Sequence, residues 1–365
     1  MLELPDFVLA PLGFAYGAAG SARRALYRTG VLGVERIAAP VVSVGNLTAG
    51  GTGKTPLVEW LARAVARDGR RVCILTRGYG RADAGKRVVV SDGERVLAEA
   101  REAGDEPRLL AESLRGLPVA VVCDANRVAA ARWAAESLRS EVFILDDGFQ
   151  HLRLARDLNI LTLDATDPWG GGRLLPRGRL REPPGEMRRA DLIVITRAEL
   201  AGDLEDLRAR AGSLSGGRPV LAARTATVRL GSLDTKIIDE TGRAPETSET
   251  TQPLPADIPQ PLAAFCAIGN PRAFFTHARR HALTLCYTRA FTDHHAYTQR
   301  DVDECAREAV RHGARAFVTT AKDAVKLRAL RFALPCYVLE VALKFEDDER
   351  MRAVLSECIS GRARL

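Results

Sequence analysis

Aromatic residues are scarce in this 365-residue chain, at 5% of the total, and its seven cysteines form no CxxC pair. The cysteines stand singly at 73, 123, 266, 286, 305, 336 and 358. That spacing speaks against a disulfide framework and a structural zinc, and fits a reduced, cytosolic-side protein. The six histidines add no zinc signature, because no His-x-x-x-His with glutamate and no cysteine partner occurs. There is no internal repeat and no coiled-coil heptad. Long apolar runs are missing too. The segment FVLAPLGFAYGAAGSA, Phe7 to Ala22, is uncharged over 16 residues but carries Pro11 and three glycines. It is too short for a secure membrane span. Arg23, Arg24 and Arg28 follow it, the reverse of the charge order in a signal peptide. Two readings stay open for it: a helix packed on the core, or an interfacial helix with apolar residues in lipid and arginines at anionic headgroups.

What is present is enough apolar sequence, 46%, for a substantial core and two domains, with a formal charge of +7 that suits a protein meeting anions. From Ala39, short β-branched strands alternate with helical spacing: PVVSVGN, PLVEWLARAVARDG, RRVCILTRG, PVAVVCD, EVFILDDG, NILTLDA and ADLIVITRAE. This is βαβ text and predicts a mostly parallel sheet covered on both faces. The boundaries read as an N-terminal helical segment over 1–36, a larger α/β core over 37–224 and a smaller α/β domain over 225–365. A proline-rich loop at 238–260 interrupts the last.

In such sheets the chemistry gathers at the carboxyl ends of strands. VGNLTAGGTGKTP, Val44 to Pro56, lies at the first of them. Gly53-Lys54-Thr55 matches the end of a Walker A loop, while Thr48 stands where the first glycine belongs. The physics survives the change. Glycines at 50, 51 and 53 let the backbone N–H groups of Thr48, Ala49, Gly50, Gly51, Thr52 and Gly53 converge on phosphate. Lys54 can reach the β- and γ-phosphates, and Thr55 can offer its hydroxyl to Mg²⁺. EVFILDDGFQH sets Asp146 and Asp147 after a buried strand: one is expected to serve the metal, the other to position Lys54, substrate or water. GDEPRLLAE offers Asp105 and Glu106 at a helix start, either as a cap with first-turn acids or as a general base and metal carboxylate. FTDHHAY places His294 and His295 beside Asp293, a carboxylate able to fix an imidazole tautomer. His151 reads equally as a structural or a direct participant. GGGRLLPRGRLREP, Gly170 to Pro183, is an arginine-rich loop with Trp169 as its one nearby aromatic. It suits an anionic metabolite or lipid better than nucleic acid, which would want stacking platforms. TAKD, Thr320 to Asp323, and TRAE, Thr196 to Glu199, have the wrong spacing for a guanine reader.

Taken in order, SVGNLTAGGTGKTP, LTRGYGR, GDEP, DDGFQH, GGGRLLPRGRLREP, FTDHH and TTAKDAVKL closely resemble the tetraacyldisaccharide 4'-kinase (lipid A 4'-kinase) family, over nearly the whole chain and weakly across 238–260. The resemblance implies a RecA-like P-loop core joined by a two-stranded hinge to a smaller α/β domain, with a cleft that closes on its ligands. It implies transfer of the ATP γ-phosphate to the 4'-hydroxyl of a tetraacylated glucosamine disaccharide 1-phosphate, with Mg²⁺. It also implies a monotopic protein on the cytoplasmic face of the bacterial inner membrane; beside it, a monomer is expected, and the lack of stacking aromatics sets the expectation of no nucleic-acid partner. Asp105 becomes the expected base, paired with His294 in preference to His295. Lys54 and Asp147 join them as catalytic groups, and Thr55, Glu106 and Asp146 are the expected metal ligands. The acceptor is expected at Arg77, Asn126, Arg127, Gln150, His151, Arg173, Arg177 and Arg179. The rival expectation is a P-loop ATPase switch that docks a partner and phosphorylates no acceptor.

Overall fold

The structure is a computed structural model that describes residues 5–233 and 258–361. The expected proline-rich loop therefore lies, up to residue 257, outside the described residues. Helix α1 (Asp6–Arg28) leads into strand β1 (Val41–Asn46), helix α2 (Lys54–Arg67) and strand β2 (Val72–Thr76). Next come β3 (Val88–Ser91), α3 (Ala100–Ala103), α4 (Asp105–Ser113), β4 (Val119–Cys123) and α5 (Arg127–Ser137). Strands β5 (Val142–Asp146), β6 (Leu158–Asp164) and β7 (Leu192–Thr196) precede α6 (Leu204–Ser215) and the long β8 (Val220–Ser232). The rest is β9 (Leu262–Cys266), α7 (Pro271–Arg280), β10 (Leu285–Ala290), α8 (Gln299–Arg311), β11 (Ala316–Thr320), α9 (Ala321–Leu327), β12 (Cys336–Phe345) and α10 (Asp348–Ile359).

The chain forms two compact units. The first takes Met1–Arg77, Asp124–Arg224 and Lys344–Leu365; the second takes Gly78–Cys123 and Thr225–Leu343. Both are discontinuous, unlike the boundaries expected from sequence. The segment before Asp124 joins the second unit because α4 packs on α9 and Arg328 pairs with Glu112. The C-terminal segment returns to the first unit, where Phe345 meets the Trp60 ring edge-on at 4.9 Å and Arg208 pairs with Glu346.

In the first unit the parallel strands run β8-β7-β6-β1-β5-β2. Every residue of β1, β2, β5, β6 and β7 is buried. That explains why apolar residues do not alternate with exposed polar ones along them: a sheet covered on both faces has no wet side, and the polar residues of β1 and β6, such as Ser43, Asn46, Asn159 and Thr162, are buried too. The first unit's β1 thus ends at a fixed place, with α2 packed against it. In the second unit, β10-β9-β11-β12 are parallel, and β3 pairs antiparallel with β4. Alternate residues of β9 serve opposite sides: Leu262, Ala264 and Cys266 join one core cluster, Ala263 and Phe265 the other.

Candidate functional site

Two clusters of functional side chains emerge, one in each unit. In the first, β1 runs into the Leu47–Gly53 loop. Gly45 is required by close approach: a Cβ there would fall 2.5 Å from Cβ of Phe149 in the DDGF segment. Gly53 precedes α2 at φ 76°, the left-handed region that glycine enters freely. The loop's carbonyls are tied by side-chain donors. Asn46 Nδ2 donates to Thr48 O at 2.6 Å, Arg179 Nε to Ala49 O at 3.1 Å, Arg197 Nη1 to Gly51 O at 3.0 Å and Thr196 Oγ1 to Thr52 O at 2.9 Å. In a trans peptide the following N–H points the opposite way. Tying the carbonyls of Ala49, Gly51 and Thr52 therefore turns the N–H groups of Gly50, Thr52 and Gly53 to the other side of the loop, as a phosphate cradle needs.

The odd residue of the motif, Thr48, has a structural reason. It forms an antiparallel bridge with Leu180 of the arginine-rich loop. Arg181 N donates to Leu47 O at 2.6 Å and Ala49 N to Arg179 O at 2.6 Å. Paired backbone of this kind needs no glycine; the positive φ values fall at Gly50 and Gly53. One expectation changes here, because the Ala49 N–H is spent on Arg179 rather than free for phosphate.

Lys54, the first residue of α2, donates to Asn46 Oδ1 at 3.2 Å and lies 3.4 Å from Asp147 Oδ1. Arg181 donates to both Asp147 oxygens, at 3.0 and 2.7 Å. Desolvation would push the Asp147 carboxyl up, but Lys54 and Arg181 outweigh it and hold the pKa at about 2. Asp147 has φ 54°, so it has left the strand and turned away from its neighbour. Asp146, level with Val44 of β1, accepts from Thr76 Oγ1 at 3.1 Å. The adjacent acids thus divide: Asp147 meets Lys54, and Asp146 stays at the strand end. Among the described residues no three His, Cys, Asp or Glu side chains gather as a ready-made metal site. The Thr55 hydroxyl and Asp146 carboxylate are hard oxygen donors, the small protein share that Mg²⁺ takes when water and phosphate fill its octahedron.

In the second unit Asp105 opens α4 and is 6% exposed. Its carboxylate accepts from Glu106 N at 3.0 Å and lies 2.9 and 3.0 Å from His294 Nδ1. Lys326 Nζ stands 3.4 Å from Asp105 Oδ2. Burial alone would raise the Asp105 carboxyl; the His294 hydrogen bond, Lys322 and Lys326 overcome it and bring the pKa to about 2. The bond to Asp105 in turn raises the His294 pKa against burial. His295 points elsewhere, 3.2 Å from Asp301 and stacked on Phe291. It is Asp105, not the sequence neighbour Asp293, that faces Nδ1 of His294. Glu106, expected at the metal, accepts from Lys322 at 2.8 Å.

The expected acceptor residues scatter more. Asn126 caps α5, accepting from Ala129 N at 3.1 Å, and Arg127 beside it is buried. Arg77 is exposed just past β2. Arg177 and Arg173 pair with Asp6 of α1, and Arg179 pairs with Asp167. Arg24, read as a headgroup contact, is instead held by Glu182 and Glu186. Gln150 donates to Asn46 O at 2.9 Å, yet its Oε1 and the His151 Nε2 are buried without a hydrogen-bond partner among the described residues. Burial, then Arg127, Arg156, Arg23 and Arg153, push the His151 pKa down to about 4, so a neutral imidazole stands among arginines. Sequence reasoning missed Asn46, Thr196, Arg197 and Lys322. Asn46 lies inside VGNLTAGGTGKTP, and nothing in the spacing of TRAE or TAKD ties them to the P-loop or to Asp105.

A family model described as tetraacyldisaccharide-1-P 4'-kinase matches residues 5–360. A tetraacyldisaccharide 4'-kinase of Anaeromyxobacter dehalogenans (strain 2CP-C) is 44% identical over 323 residues, 87% of this chain and 81% of that one. One from Geobacter sulfurreducens is 40% identical over 354 residues, 96% of this chain and 93% of that one. The crystal structure of the "apo" form of LpxK from Aquifex aeolicus in complex with ATP aligns with a TM-score of 0.74 at 32% identity, covering 97% of this chain and 99% of that one.

Proposed function

The chain belongs to the tetraacyldisaccharide-1-P 4'-kinase family, and from that premise we propose the following reaction and division of roles. The protein is a kinase with a P-loop α/β core that transfers the γ-phosphate of ATP to the 4'-hydroxyl of tetraacyldisaccharide 1-phosphate, with Mg²⁺. The observation that carries the reading over an ATPase switch is the buried Asp105 carboxylate bonded to His294 at 2.9 Å. A switch that only hydrolyses ATP has no use for a separate, oriented base for an alcohol.

The geometry supports the following roles. The N–H groups of Gly50, Thr52 and Gly53 receive phosphate oxygens at the α2 N-terminus. Lys54, steered by Asn46 and Asp147, offsets charge on the moving phosphoryl group. Arg181 keeps Asp147 ionised while Lys54 is so engaged. Thr55 and Asp146 would hold Mg²⁺, which when bound neutralises developing phosphate charge. Asp105 takes the 4'-hydroxyl proton. With a pKa of about 2 it is a weak resting base, so the proton moves late, once the attacking oxygen has become strongly acidic. Gln150 Oε1 and His151 Nε2 are buried without a hydrogen-bond partner among the described residues, and that unmet capacity supports a polar role for the pair in binding the acceptor once the site opens to it.

The acyl chains of the acceptor call for a lipid surface. No described helix is long and apolar enough to cross a membrane. Helix α1 combines both sequence readings: Gly13 packs on Leu174 and Arg177, while Phe7 and Phe14, two turns apart on one side, are 79% and 80% exposed. That side lies in the interface of the cytoplasmic leaflet.

The test is transfer itself. Purified protein, Mg²⁺ and γ-labelled ATP are given the tetraacyldisaccharide 1-phosphate in micelles. Label at the 4' position is expected. Label released only as free phosphate, with or without lipid, would hand the case to the ATPase switch.

A further inference from the structure

The motif TTAKDAVKL enters the reaction as described only through the charge its lysines place near Asp105, yet it also delivers a lysine onto the far side of the His294 ring. Thr320 ends β11 and caps α9, its hydroxyl accepting from Asp323 N at 3.1 Å. Lys322 is the second residue of that helix, and its side chain is 14% exposed. Its Nζ reaches Glu106 Oε1 at 2.8 Å, Asp293 Oδ1 at 3.2 Å and His294 Nε2 at 3.4 Å. An ammonium has three N–H donors and no lone pair, and three acceptors are present.

We propose that Lys322 is a positioning residue for phosphoryl transfer, fixing His294 as the Nδ1–H tautomer directed at Asp105. The two ends of the ring agree on this. Lys322 can only donate, so Nε2 must offer its lone pair. An ionised Asp105 can only accept, so Nδ1 must carry the hydrogen. The opposite tautomer has a waiting partner, because Asp293 Oδ2 lies 3.8 Å from Nε2. Lys322 occupies Asp293 and presents a positive N–H to Nε2, so it removes that alternative. In the wrong tautomer the Nδ1 lone pair would face the carboxylate lone pairs, and Asp105 would lose the bond that orients it. A carboxylate and an imidazole orient each other only when the ring presents its N–H to the carboxylate, the arrangement that also fixes the ring's tautomer. The side chain acts through His294 and Glu106 and need not touch either substrate.

The kinetic arm rests on the kinase reading; the tautomer arm does not. Uniformly ¹⁵N-labelled protein is examined by long-range ¹H–¹⁵N spectra at about pH 8, where an unperturbed imidazole is neutral. His294 is assigned from the signal lost in His294→Gln. The wild type is expected as Nδ1–H, and Lys322→Met as Nε2–H or a mixture. In transfer assays Lys322→Met should lose about 10–100-fold in kcat with KM for ATP within about twofold, as a disturbed proton-transfer group would. Lys322→Arg should restore the tautomer and part of kcat. A wild-type ring that is Nε2–H or doubly protonated would overturn the proposal. So would a Lys322→Met protein that keeps Nδ1–H, whatever its activity. If Lys322→Met does not fold by circular dichroism, Lys322→Leu replaces it, and the wild-type tautomer still decides. Absence of transfer by the wild type would fail the kinase reading and leave the tautomer result standing.

Discussion

The phosphate end of the first unit and the Asp105 cluster of the second are built by opposite means. The first is mostly backbone from one contiguous stretch, residues 44 to 56, with Asn46 inside it and Arg179, Thr196 and Arg197 from elsewhere pinning its carbonyls outward. The second is all side chains, and its members are far apart in sequence: Asp105 and His294 are 189 residues apart, Glu106 and Lys322 216. A backbone site needs particular φ values and close approaches, which leave glycines and a fixed spelling in the text. A side-chain cluster needs only that several elements end near one another, and that leaves no local spelling at all.

The sharpest separation of the two regions comes from Asp105→Ala. Transfer should fall by about 10²–10⁴-fold, the usual worth of a positioned base. Binding of a fluorescent ATP analogue should be unchanged, because the hydrogen bonds that shape the P-loop come from Asn46, Arg179, Thr196 and Arg197. Lys54→Ala should damage both. An Asp105→Ala protein that fails to bind nucleotide would break the division of labour.

Arg197→Ala probes the outward pinning instead. Arg197 joins the Gly51 carbonyl to the Asp164 carboxylate, which is 4% exposed. Removing one partner of a buried ion pair costs about 3–5 kcal/mol. Urea unfolding should show a loss of that order, and nucleotide affinity should drop with it. A stable variant with normal affinity would mean that the loop holds its shape without the pin.

The parallel sheet was legible because its short, β-branched, mostly apolar strands alternate with helical spacing, and the P-loop because its glycines fall in a recognisable order. The Asp105–His294 pairing was legible only through the family resemblance; GDEP by itself permitted a helix cap, and FTDHHAY by itself pointed to Asp293 as the histidine's partner. The discontinuous units were not legible, since no composition shift marks Gly78 or Lys344. What sets those boundaries is packing between distant segments, such as α4 on α9 and Phe345 on Trp60. The acceptor arginines illustrate the same limit. Residue type announced anion binding, while the structure shows Arg173 and Arg177 on Asp6 and Arg24 on two glutamates.

Acid offers a way to compare the units as folded bodies, because each holds a neutral histidine: His151 in the first, His277 in the second. Burial, then His281 and Arg280, bring His277 down to about 4, and its Nε2 is 2.9 Å from the Thr227 hydroxyl. Unfolded, it binds its proton near the ordinary value of about 6.5. Between those values the unfolded chain holds the extra proton, so stability falls as pH drops from about 6.5 toward 4. For His277, 6% exposed, the full effect is about 3 kcal/mol. His277→Gln should flatten that limb in melts followed by second-unit probes, and His151→Gln should flatten it in the first. Equal flattening of both by either variant would show the units unfolding as one.

The mildest test returns to Thr48, where sequence and structure disagree about what a P-loop requires. Restoring the generic motif with Thr48→Gly should not improve the enzyme. The residue sits in a bridge to Leu180, and its φ is not among the positive ones, so glycine adds freedom to the unfolded chain and nothing to the fold. The expected loss is about 0.5–1 kcal/mol in stability, with kcat for transfer kept within about twofold. A clear gain in nucleotide affinity would mean that Thr48 restrains the cradle. A loss of transfer well beyond the stability change would mean that the bridge to the arginine-rich loop matters to the chemistry and not only to the shape of the loop.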